Sequence, residues 1–323
     1  MSGISGQLTP KRELEDVIGH IHAYAMNGKH KNVVAANISW LIDRCSEYRN
    51  DFQFAKLRLN KPKKLSTDEA ANLQRLYKAA AFEGQLEVSK TGSLVACPLC
   101  GIRQGVTIDH YLPQDKALFP HFSYFSYNLI PACSNCQGCK GAAYPSRQIR
   151  YPLFLKSDRK IRQHARRSLS RKMGRKFRIQ NYQRLIHPYF DTSIDPMNVA
   201  LKFDFDNIAG PHSFQLVYGG RALTPAARLF QNHVRRLNIR ARIQPVARHC
   251  WEALKRTLRA TPGPYSHSAV RAHIDLLYHH YRELDGSGAI STMLYKAISL
   301  SAPCVDMLVV GLTTPPPTPS TTR

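Results

Sequence analysis

The sequence predicts an α+β chain, mostly helical, with a small metal-organised module at its centre. Three observations predict it. Apolar residues recur at helical spacing along both flanks, two Cys-x-x-Cys pairs separated by 32 residues stand near the middle, and only short stretches alternate with the period of a strand. With 323 residues, 43% hydrophobic and 21% charged, the chain is long and apolar enough to bury a sizeable core.

The elements follow in order. Over residues 1–92 a helical region is expected. Leu14, Val17, Ile18, Ile21 and Ala25 share one helical face, and Val34, Ile38, Leu41, Ile42 and Cys45 share another. Lys61-Pro62-Lys63-Lys64 reads as a loop. Ser66 and Glu69 then form a capping box that opens a third helix, with Leu73, Leu76, Tyr77 and Ala80 on one side. Residues 93–145 change texture: Cys, Pro and Gly punctuate short apolar runs, as in a metal-organised module. Residues 146–190 form a basic segment, expected to be helical and solvated. Residues 191–312 are expected to be α+β and mainly helical. Val199, Leu201, Phe203 and Phe205 alternate with period two, as do Phe214, Leu216 and Tyr218, so a strand pair is expected around Gly210-Pro211. Thr224-Pro225 supplies a cap followed by Pro at the first helical position. Helices are expected over 226–238, 245–259, 266–284 and 289–299. The Pro/Thr-rich residues 313–323 are expected to be a disordered tail.

Charge narrows the partners. Lys and Arg total 46 against 22 Asp and Glu, a net +24. Most of the excess lies in two runs. Twelve Lys/Arg face one acid between Lys156 and Arg184, and ten face one acid between Arg221 and Ala260. Such runs are usually neutralised by a polyanion, and nucleic acid is the commonest. The candidates for phosphate contact are Arg166, Arg167, Arg171, Lys172, Arg175 and Lys176 in the first run, and Arg235 and Arg236, with Arg240 and Arg242, in the second. Contacts of this kind hold the backbone and read no bases. Residues 1–16 are polar with both charge signs, and the apolar stretch 302–312 is short and contains Asp306. No signal peptide and no membrane partner are therefore expected, and the chain is expected in the cytoplasm.

The cysteines carry the sharpest signal. Of eight, four form Cys97-Pro98-Leu99-Cys100 and Cys133-Ser134-Asn135-Cys136. Four thiolates in two knuckles suit a tetrahedral structural zinc, and clustering in a chain without a signal peptide argues against disulfides. Cys136 and Cys139 share the same spacing, so a second register stays open. Between the pairs, Val106-Thr107-Ile108 reads as a short strand that delivers Asp109 and His110 to its end. His121, among Phe119, Pro120 and Phe122, reads as a structural histidine.

The stretch from Cys97 to Lys140 resembles the HNH endonuclease family in its zinc-stapled ββα-metal form. That family's pattern is C-x-x-C, then D-H-x-x-P, then N-L-x-P-x-C-x-x-C-N-x-x-K. It is matched here by the two cysteine pairs, Asp109-His110-Tyr111-Leu112-Pro113, Asn128-Leu129-Ile130-Pro131 and Lys140. His187-Pro188-Tyr189-Phe190-Asp191 resembles a segment found downstream in some bacterial members. The resemblance implies a central ββα-metal finger in which Cys97, Cys100, Cys133 and Cys136 hold zinc. It makes His110 the general base and Asp109 a ligand of catalytic Mg²⁺ or Mn²⁺, with Asn128 tying down the loop that orients the histidine. The second ligand position, usually Asn or His, is Gln137, one methylene longer than Asn. Lys140 is a candidate phosphate contact.

The activity implied is hydrolysis of DNA to 5′-phosphate and 3′-hydroxyl ends, in restriction or anti-phage defence. The chemistry fits these residue types. A neutral imidazole takes a water's proton near pH 7, a hard cation held by few protein oxygens compensates phosphate charge, and zinc makes a small finger rigid. The alternatives are a non-catalytic zinc-stabilised DNA-binding module, or a nuclease subunit activated by a partner ATPase.

Overall fold

The computed structural model describes residues 14–27, 31–53, 65–75, 96–113, 119–123, 125–141, 184–191, 194–219, 224–263 and 265–313. The first basic run lies outside the described residues except for Arg184, and so do Leu76, Tyr77, Ala80 and residues 314–323 of the expected tail.

Helices α1 (Leu14–Asn27) and α2 (Lys31–Gln53) pack against each other, and α3 (Thr67–Arg75) follows. The capping box forms as its sequence dictates. Ser66 N donates to Glu69 Oε2 at 2.8 Å, and Glu69 N donates to Ser66 Oγ at 3.1 Å. Next comes the antiparallel pair β1 (Val106–His110) and β2 (Leu129–Cys133), then the short helix α4 (Ser134–Lys140). A second hairpin joins β3 (Val199–Asp206) to β4 (Gly210–Tyr218). Five helices follow among the described residues: α5 (Pro225–Arg236), α6 (Ile239–Ala260), α7 (His267–Asp285), α8 (Ile290–Ser299) and α9 (Ala302–Thr313). The described residues are thus mostly helical with two small antiparallel sheets.

Two local expectations are corrected. Gly210-Pro211 does not make the turn. Asp206 does, its Oδ1 accepting from Ile208 N and Ala209 N, both at 2.7 Å, so Gly210 and Pro211 open β4. Pro245 does not start a helix but lies inside α6. The helix tolerates one missing N–H because Ile239, Ile243, Ala247, Trp251 and Leu254 bury one continuous stripe across it. The late apolar stretch is itself a helix, α9, with Cys304, Val305 and Leu308 buried. No single described helix is long and apolar enough to cross a membrane; α8 and α9 meet at 84°. The cap at Thr224 is as expected, with Oγ1 accepting from Ala227 N at 3.1 Å.

Gly210 is constrained by the core. Its φ is +79°, and a Cβ there would lie 2.9 Å from Nε1 of the buried Trp251. Gly210→Ala is therefore expected to destabilise the fold by about 2 kcal/mol through backbone strain and overpacking. Urea denaturation followed by tryptophan fluorescence checks this, and an unchanged midpoint would contradict it.

One apolar core runs from Leu41 and Cys45 in α2, through the cysteine-bracketed module, to Trp251 in α6 and Leu294 in α8. Buried histidines stitch it together. His187 Nε2 lies 3.1 Å from Tyr48 Oη, and His187 Nδ1 accepts from Tyr189 N at 3.2 Å. Its pKa is pushed down to about 3, first by burial and then by Arg184. His121, between Trp40 and Phe122, is pushed down to about 3 by burial and then by Arg44. Both are neutral in the fold. Below the usual value near 6.5 the unfolded chain takes up protons that the folded chain refuses. Stability contributed by these rings is therefore present above 6.5 and lost as pH falls towards 3, by about 2 kcal/mol for each ring at pH 5. A lower thermal midpoint at pH 5 than at pH 7, with a smaller difference in His187→Gln, is the expected result.

Candidate metal centre and active site

The first knuckle is made by a tight turn. Gly101 N donates to Cys97 O at 2.7 Å, Cys97 N donates to Ile102 O at 3.0 Å, and Gly101 adopts φ +70°, which favours glycine. The second knuckle is the junction of β2 and α4, where Cys133 caps the helix and its Sγ accepts from Cys136 N at 3.4 Å. These turns bring the four sulfurs of Cys97, Cys100, Cys133 and Cys136 within 4.8 Å of one another, all buried. Four soft ligands this close could hold a structural metal ion such as zinc. The open register is decided by burial: Cys139 is exposed on α4 and stands outside the cluster.

An arginine covers this cluster. Arg242, on α6, donates from Nη1 to Cys136 Sγ and from Nη2 to Cys100 Sγ and Cys133 Sγ, each at 3.3 Å. Four thiolates around a divalent ion carry a net −2, and a planar guanidinium offsets part of it while donating to three sulfurs at once. Arg242 is thus engaged by sulfur, although the sequence placed it among phosphate candidates. Two further links join the first knuckle to the C-terminal helices. His233 Nε2 lies 2.5 Å from Leu99 O, and Ile290 N donates to Gly101 O at 2.8 Å. Arg242→Met is expected to speed zinc loss to a competing chelator about tenfold, with Arg242→Lys intermediate because an ammonium cannot fork across three sulfurs. Equal release rates for all three proteins would contradict the role.

The hairpin places the other candidates. The register pairs Val106 with Cys133 and His110 with Leu129, so the cysteines sit at one end and His110 at the other. His110 is 6% exposed. Its Nε2 lies 2.7 Å from Ser123 O; a carbonyl only accepts, so Nε2 carries the proton and Nδ1 carries the lone pair. Burial, opposed by the Ser123 bond and by Asp109 and aided by Lys140, lowers the pKa of the ring and keeps it neutral.

Asn128 organises this end. Its Oδ1 accepts from Leu112 N at 2.7 Å and from Tyr48 Oη at 3.0 Å. Its Nδ2 donates to Leu112 O at 3.0 Å and to Phe122 O at 3.1 Å. It thereby fixes the residue before Ser123, whose carbonyl holds His110. Ser123 is in turn tied to α3, its Oγ donating to Leu73 O at 2.6 Å. The segment from Arg184 to Asp191 closes over the same end. Arg184 and Asp191 form a buried ion pair, Tyr111 Oη donates to Leu185 O at 2.5 Å, and Tyr189 Oη donates to Leu129 O at 2.8 Å.

Asp109 and Gln137 are the candidate oxygen donors to a hard cation. Asp109 Oδ1 accepts from His110 N at 2.8 Å. Its Oδ2 is buried, makes no hydrogen bond, and lies 3.1 Å from Lys140 Nζ. Gln137 Nε2 donates to Thr107 Oγ1 at 2.7 Å and to Ala132 O at 2.8 Å, which fixes the amide nitrogen on the hairpin. Lys140 is 5% exposed and donates to His110 O at 2.6 Å, so its ammonium is engaged within the hairpin-and-helix unit. Arg235 is exposed on α5 and Arg236 is half-buried; Arg166, Arg167, Arg171, Lys172, Arg175 and Lys176 lie outside the described residues.

Sequence reasoning missed Tyr48 and Ser123, and it missed that Arg242 faces sulfur. Each acts across 75 or more residues or through its main chain, so no local spacing marks it. His187 was noticed only through the family resemblance.

Comparison with known proteins adds one short similarity. The chain is 37% identical over 67 residues to Protein ea31 of Escherichia phage lambda, covering 20% of this chain and 22% of that protein. The chain therefore matches about a fifth of that relative's length. No protein-family model matches the chain, and no solved structure matches it.

Proposed function

We propose that this protein is a metal-dependent endonuclease of the HNH type that hydrolyses DNA phosphodiester bonds. One observation carries the reading. A neutral histidine at the end of β1 has its Nε2–H committed to Ser123 O, beside the carboxylate of Asp109, within a hairpin-and-helix unit stapled by four buried cysteines. In this tautomer Nδ1 is the basic nitrogen of the ring, the atom that would accept a proton from the attacking water. Asp109 and Gln137 would hold Mg²⁺ or Mn²⁺, which when bound stabilises the charge on the phosphate oxygens. Asn128 and Ser123 keep the imidazole in place, so little reorganisation is needed when the proton moves. The four cysteines, with zinc, hold the opposite end of the hairpin rigid.

Incubation of the purified protein with supercoiled plasmid tests this. Nicked or linear products with Mg²⁺ or Mn²⁺, and none without, are expected. Intact plasmid under both conditions would overturn the reading. A second reading, a non-catalytic zinc-stabilised DNA-binding module, is favoured by the Lys140–Asp109 ion pair, because the ammonium competes with a metal for that carboxylate. Binding without cleavage would be its signature.

A further inference from the structure

A cleft outside the finger has the chemistry of a phosphodiester-binding surface. It encloses about 530 Å³ where α5 meets α6 and is lined by Arg228, Gln231, Asn232, Arg235, Asn238 and Arg240. Three guanidiniums and three carboxamides face it, and no carboxylate is among its described lining residues. The fold makes it concave. Asn238 takes the left-handed conformation at φ +50°, turning the chain sharply from α5 into α6, so that arginines from both helices line the same hollow. The floor is rigid. Val234 is buried beneath it, and Asn232 Nδ2 is anchored to Arg184 O at 2.9 Å. Arg235 is steadied by Asn232 Oδ1 at 3.1 Å.

The cleft also has a defined place relative to the finger. Arg242, two residues past Arg240, grips the cysteine sulfurs, and His233, two residues before Arg235, meets Leu99 O. Residues two apart on a helix point to nearly opposite sides, so the cleft lies across α5 and α6 from the cysteine end of the hairpin. Val106 and His110 span β1, and four strand residues cover about 14 Å, the rise of about four base pairs. A phosphate at His110 is thus beyond the reach of the cleft, and what the cleft meets is the flanking backbone.

We propose that this cleft binds the phosphodiester backbone of DNA flanking the cleavage position, an inference that rests on the DNA-cleaving reading above. Arginine forks match phosphate oxygens, and the carboxamides of Gln231 and Asn238 can donate to phosphate or sugar oxygens without discriminating bases. The hollow is wide enough for a nucleotide unit, and apart from Val234 its lining residues carry polar or cationic side chains.

The test is binding of a labelled duplex by the zinc-loaded protein without added Mg²⁺ or Mn²⁺, across a salt series. The proteins compared are wild type, the double variant Arg235→Gln/Arg240→Gln, and the control Arg259→Gln, which changes an exposed arginine of α6 outside the cleft. The double variant is expected to bind at least tenfold more weakly, with a salt slope shallower by about 2, and Arg259→Gln to match wild type. An unchanged slope in the double variant, an equal loss in Arg259→Gln, or the same loss for an acidic peptide as for DNA would overturn the inference. Plasmid cleavage by wild type is scored separately. Cleavage with an unchanged slope removes the cleft and leaves the nuclease; a changed slope with no cleavage leaves the cleft and removes the nuclease.

Discussion

Cys133→Ser is expected to abolish zinc binding and unfold the finger, whereas Cys139→Ser is expected to keep one zinc per chain and wild-type stability. The difference follows from position. Cys133 Sγ lies in the buried cluster with three other sulfurs, and the same residue caps α4 and ends β2. Cys139 is exposed and outside the cluster. A structural zinc contributes about 10–16 kcal/mol, comparable to or larger than the whole stability of an ordinary domain, so losing it cannot be absorbed by packing. Unfolding would spread, because Leu99, Gly101 and the sulfurs anchor α5, α8 and α6 respectively. Elemental analysis and thermal unfolding of both variants decide the matter. A Cys139→Ser protein without metal beside a loaded Cys133→Ser protein would place the ligands in the other register.

His110→Ala is expected to reduce cleavage by about 10²- to 10⁴-fold, the usual worth of a positioned general base. Duplex affinity is expected to be unchanged, since the ring makes no basic contact with phosphate when neutral. The variant keeps β1, because the strand is held by main-chain pairing with β2 and not by the ring. His110→Gln sharpens the test. Its amide can donate to Ser123 O as the ring does, yet it has no basic nitrogen, so it is expected to restore packing without restoring rate. Wild-type turnover in either variant at saturating DNA would remove His110 from the chemistry.

The legible parts of this chain were those whose cause is local. A capping box needs only Ser66 and Glu69, and a helix start needs only Thr224 and Pro225. The alternation of Val199, Leu201 and Phe214, Leu216 announces a hairpin, because one sheet face must be buried. The illegible parts were those where a distant surface overrules a local signal. Pro245 looks like a helix start, yet the buried stripe on either side of it carries α6 through. Gly210-Pro211 looks like a turn, yet Asp206 satisfies the turn's N–H groups first.

The same division runs through the candidate site. By itself the sequence determined that four cysteines form two knuckles around a short strand ending in Asp109-His110, because spacings of a few residues fix what can share one hairpin. It could not determine which cysteine stays outside, which nitrogen of His110 holds the proton, or what balances the thiolates. Those were decided by tertiary structure. Burial separates Cys136 from Cys139, a carbonyl 13 residues away sets the tautomer of His110, and Arg242, 106 residues beyond Cys136, brings charge to the sulfurs. The physical reason is range. Turn geometry and helix capping act within a few residues, whereas desolvation and charge compensation depend on whichever segments the folded core brings into contact.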